Sequence, residues 1–288
     1  MPVLALAERV SLVTPEEYLA LRVFIENKDK YEYLPKNILK DRLGLSSREV
    51  DTILTKLRTV KAIDTERISG EIMFKITFTG IDILAIKSLY AKHVVKSLGQ
   101  SIGQGKESSV YYGYDFNGEL IAIKLHRVGK TSFKNVRKLR ELRREKSWIS
   151  ITLDNALNEF SALQCVKSNF GNVPSPLGYA FNAVTMEFIE GVQLAHAELS
   201  KPSEVLDKIL ATMRIAYTYC KIVHSDLSPY NIIISTNNEE PFIIDWPQAK
   251  HSDINLYRDI KNILDFFYKK YKIEHNMEKI SAYVKGES

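Results

Sequence analysis

From residue 222 to residue 246 the chain carries a pattern that few folds can hold. An apolar pair, Ile222-Val223, leads into His224-Ser225-Asp226. Asn231 then opens the apolar run Ile232-Ile233-Ile234, and a second apolar run, Phe242-Ile243-Ile244, ends on Asp245. Apolar runs of this length read as short buried strands. The spacing His-x-Asp-x-x-x-x-Asn places a carboxylate and an amide on one loop, and a second carboxylate follows the next strand. An Asp so placed can orient or deprotonate an attacking hydroxyl or water. An Asn and an Asp together offer oxygen ligands suited to Mg²⁺. The pattern predicts phosphoryl transfer, with Asp226 and Asp245 in catalytic positions and Asn231 and Asp245 as metal ligands.

The chain upstream supplies the remaining parts of such a site in the required order. The segment Ile102-Gly103-Gln104-Gly105-Lys106-Glu107-Ser108-Ser109-Val110 reads as a glycine-rich turn between strands, where backbone N–H groups can approach phosphates. It is not a Walker A loop, because no helix follows and no Gly-Lys-Ser/Thr stands at the right spacing. On the next strand, Ala122-Ile123-Lys124 sets a lysine among apolar residues, where its ammonium needs a partner. Glu159, in a helix expected over residues 155–166, is read as that partner, with Glu141 and Glu145 as alternatives. Residues 184–191 read as a strand running into Gly191. In a kinase-like domain this is the hinge, and backbone groups of Glu187 and Ile189 face the adenine edge.

The first 96 residues have another character. Thr14-Pro15-Glu16-Glu17 opens a helix. Short helices follow over residues 35–43, stopping at Gly44, and over residues 46–60, opened by Ser46-Ser47-Arg48-Glu49. Residues 63–68 and 72–78 alternate around Ser69-Gly70 as a hairpin. Two helices, a tight turn and a hairpin make a winged helix. A long helix is expected next, over residues 81–98. Lys56, Arg58 and Lys61 lie on or just past the candidate recognition helix, where phosphates of a nucleic acid can be met. A further hairpin turns at Asn117-Gly118. Residues 127–146 are dense in Lys and Arg and read as a mobile loop or exposed helix, a contact surface for phosphates.

Bulk properties limit the alternatives. The 288 residues, 45% hydrophobic and 26% charged with a net charge of +5, suit a soluble protein of one or two domains. No apolar run reaches the length of a membrane span. No signal peptide is read at the start. Cys165 and Cys220 read as reduced core residues of a cytoplasmic protein.

The motifs resemble the RIO kinases, atypical protein kinases of ribosome assembly. Gly103-Gln104-Gly105-Lys106-Glu107-Ser108 is similar to the phosphate loop of the subfamily with an N-terminal winged helix. Asp245-Trp246-Pro247-Gln248 is similar to its Asp-Phe-Pro-Gln metal loop. This sequence departs from the family at Ser225, where Gly is usual, at Leu227-Ser228-Pro229-Tyr230, and at Trp246, which replaces Phe. The resemblance implies an α+β fold: a bilobal protein-kinase-like domain over residues 97–288, preceded by a winged-helix domain over residues 1–96. The N-lobe, residues 97–187, is mostly β, and the C-lobe, residues 188–288, is helical and lacks an activation loop. ATP and Mg²⁺ are the implied cofactors, with Mn²⁺ as a substitute. The implied catalytic residues are Asp226, Lys124 and Asp245, and the implied nucleotide site takes in Ile102, Gly103, Gly105, Lys106, Ser108, Val110, Ala122, Lys124, Glu159, Met186, Glu187, Ile189, Ile233 and Ile244.

The implied activity is that of a protein serine/threonine kinase or ATPase that phosphorylates itself, with Ser132 and Ser147 as candidate acceptors and a phosphoaspartate at Asp245. The implied partner is the precursor of the small ribosomal subunit and its rRNA, in the cytoplasm and away from membranes. Two other functions fit the loop motif: a small-molecule phosphotransferase of the aminoglycoside or choline type, and a winged-helix regulator that senses ATP without turnover.

Overall fold

The computed structural model describes residues 4–105, 107–127 and 147–287. The chain divides into two compact units: residues 1–156 with 178–185, and residues 157–177 with 186–288.

The first unit opens with a helix not foreseen in the sequence, α1 (Leu6–Leu12), followed by α2 (Pro15–Glu26). The Thr14 N–H donates to Glu17 Oε2 at 2.6 Å, which closes the start of α2. A two-residue strand, β1 (Leu34–Pro35), leads into α3 (Lys36–Leu43). Gly44 ends α3 at φ +64°, a conformation that costs glycine little. Helix α4 (Ser47–Thr59) is capped reciprocally: Ser46 N–H donates to Glu49 Oε2 at 2.8 Å, and Glu49 N–H donates to Ser46 Oγ. Its buried stripe is Val50, Ile53, Leu54 and Leu57. Each such side chain contributes about 1.5–3 kcal/mol on burial, so the stripe decides which way α4 faces.

Strands β2 (Ile63–Ile68) and β3 (Glu71–Ile76) form the hairpin, with β1 added to β3, so the sheet order is β1-β3-β2. Helix, strand, two helices and hairpin thus follow one another in this part of the chain.

Helix α5 (Phe78–Ala91) is shorter than the expected span to residue 98. His93 takes a left-handed turn at φ +57°, and residue 97 already belongs to a strand. The end was hidden because α5 is buried on two sides. Ile81, Ile83 and Leu84 enter the core with the helices and hairpin, while Ala85, Ile86 and Leu89 pack with Ile121, Ile123 and Leu125.

Strands β4 (Ser97–Gln104), β5 (Ser108–Tyr114) and β6 (Leu120–His126) are consecutive antiparallel neighbours. The turn between β5 and β6 holds Gly118 at φ +88°, and Asp115 Oδ1 accepts the N–H groups of Asn117 and Glu119, each at 2.8 Å. Helix α6 (Trp148–Ser168) is longer at both ends than the expected residues 155–166. Strands β7 (Pro176–Ala180) and β8 (Ala183–Glu187) complete a sheet ordered β4-β5-β6-β8-β7.

In the second unit, β9 (Gly191–Gln193), β10 (Ile232–Ser235) and β11 (Pro241–Ile243) form a small antiparallel sheet with β10 central. Gly191 lies so close to β10 that a Cβ there would collide with the Ile234 carbonyl. Helices α7 (Pro202–Thr218), α8 (Asp253–Tyr271) and α9 (Met277–Lys285) supply the core, with Leu206, Ile209, Ile260, Ile263 and Phe267 fully buried.

The two cysteines correct the sequence reading. Cys165, on α6, and Cys220, just past α7, are joined in a disulfide across 55 residues, with Cα atoms 5.9 Å apart. Apolar periodicity marked both as core positions but carried no information on their pairing.

Candidate active site

The expected site residues fall into two sets, one in each unit. In the first unit, Gly103 pairs with Val110 across β4 and β5, and Val110 pairs with Lys124 across β5 and β6. The glycine-rich turn is closed by Gly105 N–H donating to the Ser108 carbonyl at 2.9 Å. Lys124 is only 7% exposed. A buried ammonium requires an anionic or strongly polar counterpart, which fits the role expected of it. Ala122 is buried on the same strand, and Ile102 is 40% exposed near the end of β4. Lys106, Glu141, Glu145 and Ser132 lie outside the described residues, as does the basic stretch apart from Arg127.

The second unit holds the loop that the sequence marks most strongly. His224 is 4% exposed. Its Nε2 lies 2.9 Å from the Ile244 carbonyl, and its Nδ1 accepts the Asp226 N–H at 3.3 Å. The two contacts together require a neutral ring protonated on Nε2. Burial holds its pKa below the usual histidine range, against the pull of Ile244, Asp245, Asp226 and Glu159. His224 therefore ties the Asp226 turn to the strand end that leads to Asp245.

Asn231 makes the next tie. Its Nδ2 donates to the Asp226 carbonyl at 2.9 Å, and its own carbonyl accepts the Ile244 N–H at 2.9 Å. The amide nitrogen is thereby committed, and the end of the amide left for a ligand is oxygen. Asp245 follows at φ +69°, a sparsely populated conformation for a residue with a side chain. Trp246 anchors the far side. It is 1% exposed, its Nε1 donates to the Ile243 carbonyl at 3.0 Å, and its ring lies 4.7 Å from that of His224.

Glu159 is 1% exposed, and its Oε1 accepts the Trp246 N–H at 3.2 Å. One carboxylate oxygen is thus engaged with the segment that carries Asp245. Met186 is buried at the end of β8. The Glu187 carboxylate accepts Ser175 N–H and Oγ–H at 3.0 and 2.7 Å, while the Glu187 N–H donates to the Ser175 carbonyl. Its N–H is therefore taken, which narrows the hinge expectation at this residue to the carbonyl. Ile233 lies on β10, two residues past Asn231, and Ile244 stands just beyond β11, directly before Asp245.

A second layer of residues was missed in the sequence. The Asp259 carboxylate, fully buried on α8, accepts Ser225 N–H at 2.8 Å and Leu227 N–H at 3.1 Å. Arg258 donates to the Ser225 carbonyl, and Asn262 Nδ2 donates to the Leu227 carbonyl at 3.0 Å. The turn around Asp226 is thus held from α8 by three side chains. Asp259 sits in the apolar stripe Leu256, Ile260, Ile263, Phe267. An acid in such a stripe was the available signal.

The family model of the RIO domain matches residues 109–280. The chain belongs to the RIO family. Lys124, Glu159, Asp226, Asn231 and Asp245 all lie inside the matched RIO segment. The chain is 28% identical to the serine/threonine-protein kinase RIO2 of Saccharomyces cerevisiae over 91% of its own length and 65% of the relative's. It is 33% identical to the RIO-type serine/threonine-protein kinase Rio2 of Methanocaldococcus jannaschii, over 73% of its own length and 81% of that protein's. Against serine/threonine-protein kinase rio2 of Dictyostelium discoideum it spans 39% of the relative's length, so it covers only part of some curated RIO kinases. In fold it is similar to the Rio2 kinase–ADP/Mg²⁺–phosphoaspartate complex from Chaetomium thermophilum. The TM-score is 0.79 at 21% identity, covering 96% of this chain and 88% of that one.

Proposed function

We propose that this RIO-family chain is an ATP-dependent kinase and ATPase that phosphorylates itself and acts in maturation of the small ribosomal subunit. The observation that carries the reading is the tie of Asn231 to Asp226 and to the strand that ends at Asp245. It sets one amide oxygen and two carboxylates on adjoining turns. This is a hard, oxygen-only donor set, suited to Mg²⁺ or Mn²⁺ and unsuited to a soft metal. Asn231 and Asp245 would hold the ion, which when bound neutralises phosphate charge.

The side chains divide the remaining work. Asp226, fixed through its N–H and its carbonyl, orients the attacking hydroxyl or water and takes its proton. Lys124 meets the phosphates. The glycine-rich turn with Ser108 faces the phosphates, and the Glu187 carbonyl and Ile189 face adenine. In self-phosphorylation through Asp245, a carboxylate oxygen bonds to the γ-phosphorus as the bond to ADP breaks. Water then cleaves the acyl phosphate, which releases inorganic phosphate and restores the carboxylate. Of the candidate serine acceptors, Ser147 has an engaged hydroxyl: it accepts Ser150 N–H at 3.2 Å and approaches Ser150 Oγ and Asp29.

The proposed contact with rRNA involves the winged helix and the basic stretch of residues 127–146. Lys56 is held by Glu17 at 3.0 Å and Lys36 by Asp51 at 2.5 Å, so phosphate contact at the winged helix falls to the exposed Arg58 and Lys61. The proposed compartment is the cytoplasm. Among the described residues no helix is long and apolar enough to cross a membrane.

The test is transfer of labelled γ-phosphate from ATP with Mg²⁺, using the wild type, Asp226→Ala and Asp245→Asn. Labelled protein and free phosphate are expected from the wild type only. Label that hydroxylamine releases, and that Asp245→Asn lacks, identifies the acyl phosphate. ATP binding without transfer would favour a nucleotide sensor. Rapid phosphorylation of a small alcohol would favour a small-molecule phosphotransferase.

A further inference from the structure

Asp82 lies in the second turn of α5 and is fully buried. An isolated carboxylate there would be costly, and the fold answers it with specific partners. Arg127 donates through a terminal nitrogen to Asp82 Oδ2 at 2.6 Å. Asn182, also fully buried, donates through Nδ2 to Asp82 Oδ1 at 2.7 Å. The same amide nitrogen lies 3.0 Å from the His126 carbonyl, and the His126 N–H donates to the Asn182 carbonyl at 2.8 Å. The Arg127 N–H in turn donates to the Glu107 carbonyl at 2.7 Å.

These contacts converge on the phosphate-facing half of the first unit. His126 and Arg127 close β6, and Lys124 stands two residues before His126, on the same side of the strand. Glu107 belongs to the exit of the glycine-rich turn, next to Ser108. One buried charge on α5 therefore fixes the end of the lysine strand and, through the Arg127 backbone, the exit of the turn. Neutralising it would leave Arg127 without the charge that holds it and release both.

We infer that Asp82 is a positioning residue for the phosphates of the nucleotide, acting through Arg127. It touches neither the nucleotide nor the reacting atoms. The inference rests on the kinase reading above and extends it to a helix that follows the winged-helix elements.

The experiment is calorimetric titration of the full chain with ATP–Mg²⁺ and, separately, with adenosine. The variants are Asp82→Asn, Arg127→Ala, Arg127→Lys and the double variant Asp82→Asn/Arg127→Ala. Asp82→Asn and Arg127→Ala are each expected to weaken ATP binding about tenfold, the size of one charge-assisted hydrogen bond. Adenosine binding should stay at the wild-type level, because adenosine has no phosphates to position. The double variant should lose no more than either single one, as two members of one interaction do. Arg127→Lys should recover most of the affinity.

Parallel loss of ATP and adenosine binding would reduce Asp82 to a packing role and overturn the inference. So would wild-type ATP affinity in both single variants, or losses that multiply in the double variant. If Asp82→Asn does not fold, Arg127→Ala decides, since its side chain is about one-third exposed. A wild type that binds no ATP with Mg²⁺ would overturn the kinase reading itself, a result separate from any change among the variants.

Discussion

The carboxylate of Asp259 accepts the Ser225 N–H at 2.8 Å from a helix that begins 27 residues beyond Asp226. Its second oxygen accepts the Leu227 N–H, so both backbone neighbours of Asp226 are held by one side chain. Asp259→Ala leaves two buried N–H groups without their acceptor, at about 1–3 kcal/mol each. If Asp226 has the role proposed for it, phosphate transfer is expected to fall by about 100-fold or more, because its displacement loses near-attack geometry. A denaturant titration alongside the transfer assay separates the loss of stability from the loss of rate.

Ser225 stands at φ +70° and is 3% exposed. A left-handed conformation costs a non-glycine residue about 1–2 kcal/mol. Ser225 offsets part of this with a hydroxyl bond to the Val223 carbonyl at 3.2 Å. Ser225→Gly exchanges strain for chain entropy and a lost hydrogen bond, and its unfolding free energy should stay within about 1 kcal/mol of the wild type. Ser225→Val puts a β-branched side chain where φ is positive, and should cost about 2–3 kcal/mol. Urea midpoints of the two variants check the contrast.

Two groups in this unit give opposite dependences on pH. Burial pushes Asp259 up to about 6, against the Leu227 and Ser225 N–H groups and Arg258, and with Asp226 adding to the rise. A raised carboxyl contributes stability that is complete below about pH 4, the value of the unfolded chain, and is lost as pH climbs through 6. Over that window the loss is about 3 kcal/mol. His224 is held below its unfolded value of about 6.5, so its contribution is present above that pH and is lost on acidification. The two trends oppose each other between about pH 4 and 6.5. Denaturation of Asp259→Asn from pH 7 to 4 should expose a steeper acid loss than in the wild type, and His224→Gln a shallower one or a gain.

The disulfide closes a loop of 55 residues. Loop-closure entropy for that length amounts to about 4 kcal/mol. Cys165→Ser, or a reductant added to the wild type, should lower the unfolding free energy by up to that amount. The variant should be indifferent to reductant, and paired denaturant titrations with and without dithiothreitol measure both effects.

What the sequence revealed follows the range of the interactions. The Ser46–Glu49 cap, the Asp115–Gly118 turn and the shared loop of Asp226 and Asn231 span three to five residues, so spacing alone exposes them, though not the Asn231–Asp226 hydrogen bond. The order of motifs likewise placed Lys124 on a strand and Asp245 after one. Asp259 acts across 34 residues, Asp82 across 45 and Cys165 across 55, and no local period records such partners. The end of α5 was missed for a related reason. A helix buried on two sides continues its apolar pattern into the following segment, and only the left-handed His93 marks the stop.

The burial of Trp246 has an optical consequence. The chain has two tryptophans, Trp148 in the first unit and Trp246 in the second. The Trp246 indole is enclosed, hydrogen-bonded and close to the His224 ring, so its emission reports the surroundings of Asp245. Trp148 packs edge-on against Phe78, with ring centres 4.7 Å apart, and reports the other unit. A Trp148→Phe chain therefore carries a single tryptophan beside the proposed chemistry, and fluorescence excited selectively at tryptophan, away from the tyrosines, can follow that segment without an added dye.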